Sequence, residues 1–184
     1  MKNFRIHLKI IVVVFVTMTI ISCKENNNKV EEKKSSEVTL KKEESNTNKN
    51  SAITAEFRNS KATEAFKHYI DIKTALVKSD SKKAKKSAEE LVKVLPSIAL
   101  KKAAEIIINT DNIEDQRKAF STVSLLIETI VKETMTTGEI YKQHCPMAFD
   151  NKGAYWLSKE KEIRNPYFGD RMLKCGSVTE TIKK

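Results

Sequence analysis

The chain has 184 residues, and 34 Lys and Arg against 24 Asp and Glu give it a formal charge of +10. Four Gly and three Pro are too few for a turn-rich sandwich, a barrel or a Gly-looped nucleotide site. The length suits one ordinary domain and excludes a two-domain enzyme with long connections.

At the N-terminus Lys2, Arg5 and Lys9 form a basic segment, and Ile10 to Ile21 an apolar run too short to span a bilayer. The run ends in Ile20-Ile21-Ser22-Cys23, which resembles the bacterial lipobox. The resemblance implies that residues 1–22 are a lipoprotein signal peptide and that Cys23 is acylated and becomes the first residue. Without the three basic residues of that segment, 31 basic and 24 acidic side chains leave a charge of +7. The expected location is the cell envelope, with the lipid in a membrane, the outer one in preference to the inner. The protein would face the periplasm or the cell exterior.

Residues 23–60 are expected to be a disordered tether. They hold little apolar surface beyond Val30, Val38, Leu40, Ile53 and Phe57, too little to offset chain entropy. Eight basic and seven acidic side chains between Lys24 and Ser60 nearly cancel, which argues against a nucleic-acid arm.

Residues 61–184 are expected to form the domain, mainly α: an up-and-down four-helix bundle with a compact tail over 138–184. Ala62, Ala65, Phe66, Tyr69, Ile72 and Leu76 repeat at helical spacing until Ser79-Asp80-Ser81. Ala84, Ala88, Leu91, Val92 and Leu95 form a second stripe, ended by Pro96. Ile98, Ala99, Lys102, Ala103, Ile106 and Ile107 form a shorter third. A fourth helix is predicted from Asp111, with Glu114 as its capping-box partner, through Ile113, Phe120, Val123, Ile127, Ile130 and Val131 to Gly138. Short connections favour antiparallel neighbours. These helices carry no catalytic pattern, and His68 is assigned no role.

The tail differs in composition. Between 138 and 184 lie all four Gly, the sole Trp, three of the four Tyr, and both cysteines other than Cys23. Tyr141–Phe149 and Ala154–Ser158 are predicted to form a short hairpin around Asp150-Asn151-Lys152-Gly153, and a short helix is predicted to carry Met172 and Cys175. Trp156, Tyr155, Tyr167 and Phe168 are expected to be the small core beneath. His144-Cys145-Pro146-Met147 and Met172-Leu173-Lys174-Cys175 concentrate thiol, thioether and imidazole donors. Soft sulfur donors suit copper(I) or silver(I) and do not suit Mg²⁺ or Ca²⁺. Cys145, Met147, Met172 and Cys175 are thus candidate metal ligands, with His144 as an optional further donor. The alternative, without cofactor, is a Cys145–Cys175 disulfide, which by loop entropy would contribute roughly 3–4 kcal/mol.

The string Cys145-Pro146-Met147-Ala148, Gly153, Trp156-Leu157, Ile163, Asn165-Pro166-Tyr167-Phe168-Gly169, Met172 and Cys175-Gly176 resembles a domain of unknown function in Bacteroidota lipoproteins. A similar tail is fused to periplasmic adaptor proteins of heavy-metal efflux pumps. The resemblance covers roughly residues 61–182, with its motifs in the tail, and implies a helical bundle with a role in copper or silver handling. The expected function is soft-metal binding as an accessory to resistance or efflux, with the membrane and a metal-efflux or envelope protein as partners and no nucleic acid. The alternative is a protein-interaction module shaped by the disulfide. No enzyme is expected, because Cys-x-x-Cys, Gly-x-Ser-x-Gly, His-Glu-x-x-His and a Gly-rich phosphate loop are all missing.

Overall fold

The structure, a computed structural model, describes residues 55–95 and 97–184. The signal segment, Cys23, the expected tether up to residue 54 and Pro96 lie outside the described residues. The described chain is mainly helical and carries two small antiparallel sheets.

Helix α1 spans Ser60–Val77, α2 Ser81–Val94, α3 Ile98–Asn109 and α4 Ile113–Thr134. Each begins on a side chain that takes up an orphan N–H of the first turn. Asn59 Oδ1 accepts from Ala62 N at 2.9 Å, and Asp80 Oδ1 accepts from Lys83 N at 2.9 Å. The Asp111 cap predicted for α4 is corrected to Asn112, which accepts from Glu114 N and Asp115 N at 2.8 and 3.3 Å. Asp111 instead accepts from Lys85 Nζ at 2.7 Å, so its carboxylate ties α2 to the loop before α4. Helix α1 packs on α2 and α4, α2 on α3, and α3 on α4.

The predicted stripes of α1 and α4 are the buried faces, and Ala84, Ala88 and Leu91 are buried in α2. The α3 stripe is corrected. Ile98 and Ile106 are 74% and 55% exposed, and Leu100, Ala103, Ala104 and Ile107 face the core. Apolar residues run nearly all round this short helix, so packing on α2 and α4 chose the face.

Helix α4 stops at Thr134, short of the predicted Gly138, because Met135–Thr137 become strand β2 and pair antiparallel with β1, Glu56–Phe57. Strands β3 (Glu139–Cys145), β4 (Ala154–Ser158) and β5 (Ser177–Lys183) form a three-stranded sheet in the order β4-β3-β5. The predicted hairpin is present as β3–β4, but its first strand ends at Cys145 and not at Phe149, since Pro146 cannot donate to the ladder. Strand β5, which the sequence pattern did not disclose, pairs with β3 along its other edge. The predicted helix through Met172 and Cys175 is a 3₁₀ turn, Gly169–Met172, with Cys175 beyond it.

One core joins helices to sheet through a run of aromatic rings. Phe66 and Tyr69, Tyr69 and Phe120, and Phe120 and Tyr167 have centroids 6.0, 5.1 and 6.1 Å apart, and Tyr167 meets Trp156 edge-on at 5.8 Å. Such pairs contribute about 0.5–1.5 kcal/mol beyond burial. The Tyr69 hydroxyl accepts from Leu157 N of β4 at 2.8 Å, so α1 supplies the partner that the strand edge lacks. Arg117, fully buried in α4, donates to Leu76 O of α1 at 3.1 Å and to Pro166 O of the tail at 3.0 Å.

Candidate functional site

Cys145 ends β3 and is wholly buried, with Ala154 of β4 as its register partner. Pro146 and Met147 follow, and then a turn, Ala148–Asn151, in which Phe149, Asp150 and Asn151 hold positive φ of 53, 58 and 63°. Non-Gly residues rarely adopt that region, and three in succession cost on the order of 1–2 kcal/mol each. Gly153, at φ 77°, closes the turn under the His144 ring.

Cys175 arrives from the other side. The chain descends through Asn165, whose buried side chain accepts from Tyr167 N at 2.8 Å and donates to Cys175 O at 2.9 Å. Cys175 N donates to Met172 O at 3.0 Å. Gly176 follows at φ 137°, where a Cβ would lie 2.7 Å from His144 O, so only glycine lets β5 start against β3 here. Held in this way, Cys175 Sγ sits 2.8 Å from Cys145 Sγ, with no bond drawn between them. The Cys145 thiol and burial push the Cys175 thiol above its ordinary value, partly offset by the Met147 backbone N–H on the sulfur.

The other sequence-predicted donors are placed differently. His144 precedes Cys145 on β3 and so points to the opposite face of the sheet, where its ring packs on Tyr155 with centroids 4.3 Å apart. The structure does not bring His144 to the thiol pair. Tyr155 shares that outer face at 40% exposure, which corrects its assignment to the small core, whereas Trp156 and Tyr167 are buried as expected. Met147 is 47% exposed and lines a cavity of 450 Å³ with Phe149, Tyr167, Phe168 and Arg171. Met172 is half-buried at the end of the 3₁₀ turn. Among the described residues, no group of three or more His, Cys, Asp or Glu side chains is placed to hold a metal ion. Of the sequence-predicted donors, Cys145 and Cys175 are the two whose sulfurs the structure brings together. Cys23 lies outside the described residues.

Sequence reasoning missed the parts that hold the thiols, Asn165 and Gly176, and of the left-handed turn after Met147 it read the Asp150-Asn151-Lys152-Gly153 stretch but not Phe149. The only advance signals were the Asn-Pro pair and the glycine beside Cys175.

The site thus belongs to a mainly helical domain with a sheet-built dithiol tail. Residues 65–139 match the family model described as protein of unknown function (DUF3347). The matched segment runs from within α1 to the first residue of β3 and ends before either cysteine. No curated protein and no solved structure matches the chain.

Proposed function

We propose that this is a lipid-anchored envelope protein that binds copper(I) or silver(I) between Cys145 and Cys175 and buffers it or passes it to an efflux or resistance system. The helices, read as an up-and-down bundle, serve as the support on which the tail is built. The observation that carries the reading is the convergence of two cysteine sulfurs 30 residues apart in sequence to a separation of 2.8 Å. Two thiolates satisfy a soft monovalent ion, and thioethers from Met147 and Met172 add ligands without adding charge. His144 drops out of the ligand set because it faces away. The anchor rests on Ile20-Ile21-Ser22-Cys23 following a basic, apolar segment.

A structural disulfide is the second reading, and one observation favours it. Two sulfurs sharing a metal at about 2.3 Å each stand well over 3 Å apart, so 2.8 Å lies nearer to a bond than to a metal-filled clamp.

Metal binding by reduced protein separates the two. On the metal reading, one Cu(I) or Ag(I) binds far more tightly than Zn²⁺, because thioethers are poor ligands for the harder ion. Met147→Leu with Met172→Leu weakens binding about tenfold or more while preserving apolar volume, and Cys145→Ser with Cys175→Ser abolishes it. On the disulfide reading, the methionine changes do nothing to binding. The cysteine changes then lower the melting temperature of non-reduced protein by several degrees. For the anchor, Cys23→Ser should release the protein from the membrane fraction or leave it as unprocessed precursor. A mutant that stays membrane-bound at mature mass overturns the lipobox reading.

A further inference from the structure

The two cysteines are unlike one another. Cys145 lies on the central strand of the sheet with no exposed surface, whereas Cys175 is partly exposed in the loop between the 3₁₀ turn and β5. The backbone of Cys175 is held on both sides, its N–H by Met172 O at 3.0 Å and its carbonyl by Asn165 Nδ2 at 2.9 Å. Between the two sulfurs, therefore, only side-chain rotation is needed to change the separation. Their convergence puts two alternatives within reach. An inward shift of under about 1 Å reaches the disulfide length of about 2.05 Å. An outward movement of roughly 1–2 Å makes room for an ion bound to both at about 2.3 Å each. The same two sulfurs cannot do both at once.

We propose that Cys145 and Cys175 form a redox gate on the metal site, in which a low-molecular-weight disulfide converts the two-thiolate clamp into a Cys145–Cys175 bond and expels the ion. This rests on the metal reading above. The exposed Cys175 sulfur attacks one sulfur of the incoming disulfide, forms a mixed disulfide and releases one small thiolate. The buried Cys145 sulfur then attacks Cys175 Sγ, closes the internal bond and releases the second thiolate. Two protein thiolates lose two electrons, the incoming disulfide gains them, and the ion leaves with its charge of one unchanged. Because the backbone around both cysteines is already in position, the exchange leaves the fold intact. The gate therefore works as a release step and not as an unfolding step.

The test uses the full chain carrying Cys23→Ser, so that two thiols remain, loaded with one Cu(I). Oxidised glutathione is added in the presence of a colorimetric Cu(I) chelator too weak to strip the ion unaided. The expected result is one Cu(I) released per Cys145–Cys175 disulfide formed, reversal by dithiothreitol, and no comparable release by the same amount of reduced glutathione. In the metal-free single variants, Cys145→Ser should accumulate a glutathione adduct at Cys175 at least tenfold faster than Cys175→Ser acquires one at Cys145. Retention of the ion after the disulfide forms, absence of the disulfide, or equal release by reduced glutathione overturns the gate and leaves the metal reading standing. Equal adduct rates overturn the assigned order of attack. Failure of the reduced chain to bind Cu(I) overturns the metal reading and the gate with it.

Discussion

Tyr69 shows how one side chain serves several elements. Its ring stacks on Phe120, its hydroxyl accepts from Leu157 N at 2.8 Å, and it meets Ser124 Oγ at 2.9 Å. Burial raises its phenol well above the ordinary value near 10. The unfolded chain therefore loses this proton first, so stability is full below about pH 10 and falls as pH rises beyond it. Tyr167, raised for the same reason, acts in the same direction. Tyr69→Phe should cost about 1–3 kcal/mol at neutral pH, because Leu157 N–H is left buried without an acceptor. It should also flatten the alkaline decline, leaving the part due to Tyr167. Urea midpoints of both proteins between pH 7 and 11 measure each effect, and an unchanged slope in the variant would count against this origin.

Helix α4 is the element that connects the parts of the domain. Its first two turns present Gln116 and Arg117, both buried, to groups that lie far apart in sequence. Gln116 Nε2 donates to Ser81 O, Ile107 O and Thr110 O at 3.1, 3.2 and 2.9 Å, so one amide links α2, α3 and α4. Arg117 bonds Leu76 O, Ser79 Oγ and Pro166 O, and its Glu114 partner also accepts from Arg171 of the tail at 2.7 Å. Arg117→Met keeps the stem and removes the guanidinium, so Pro166 O loses that donor while Leu76 O keeps the Ser79 N–H at 3.1 Å. The expected loss is about 1–3 kcal/mol, read from the urea midpoint, against a change within about 0.5 kcal/mol for Lys118→Met on the exposed side of the same helix.

At the scale of the whole molecule, the aromatic run from Phe66 to Trp156 makes helices and sheet a single core. The sole tryptophan is wholly buried in the tail, whereas far-ultraviolet circular dichroism reports chiefly the helices. Fluorescence and dichroism should therefore follow one coincident transition in urea, as two-state unfolding requires. A tail that melts at lower urea than the helices would show that the dithiol site rests on a separate, weaker unit.

What could be read from the sequence was local. The stripes of α1 and α4 have one apolar face each, so helical period and buried face coincide, and the β3–β4 hairpin followed from residues that tolerate positive φ beside alternating strands. The thiols and thioethers of the tail were also visible, because they cluster within four residues at both Cys145 and Cys175. Where apolar residues surround a short helix, as in α3, only its neighbours decide which face is buried. Strand β5 exists because β3 offers a free edge, and its own residues, mostly polar and exposed, carry no alternating signal. His144 and Cys145 are adjacent in sequence, yet the pleat turns them to opposite faces, whereas Cys145 and Cys175 meet because β3 and the Asn165 turn converge. The sequence by itself determined the donors and the helices. Which donors meet was decided only by the tertiary structure, because strand pairing and long-range hydrogen bonds set distances that no local spacing encodes.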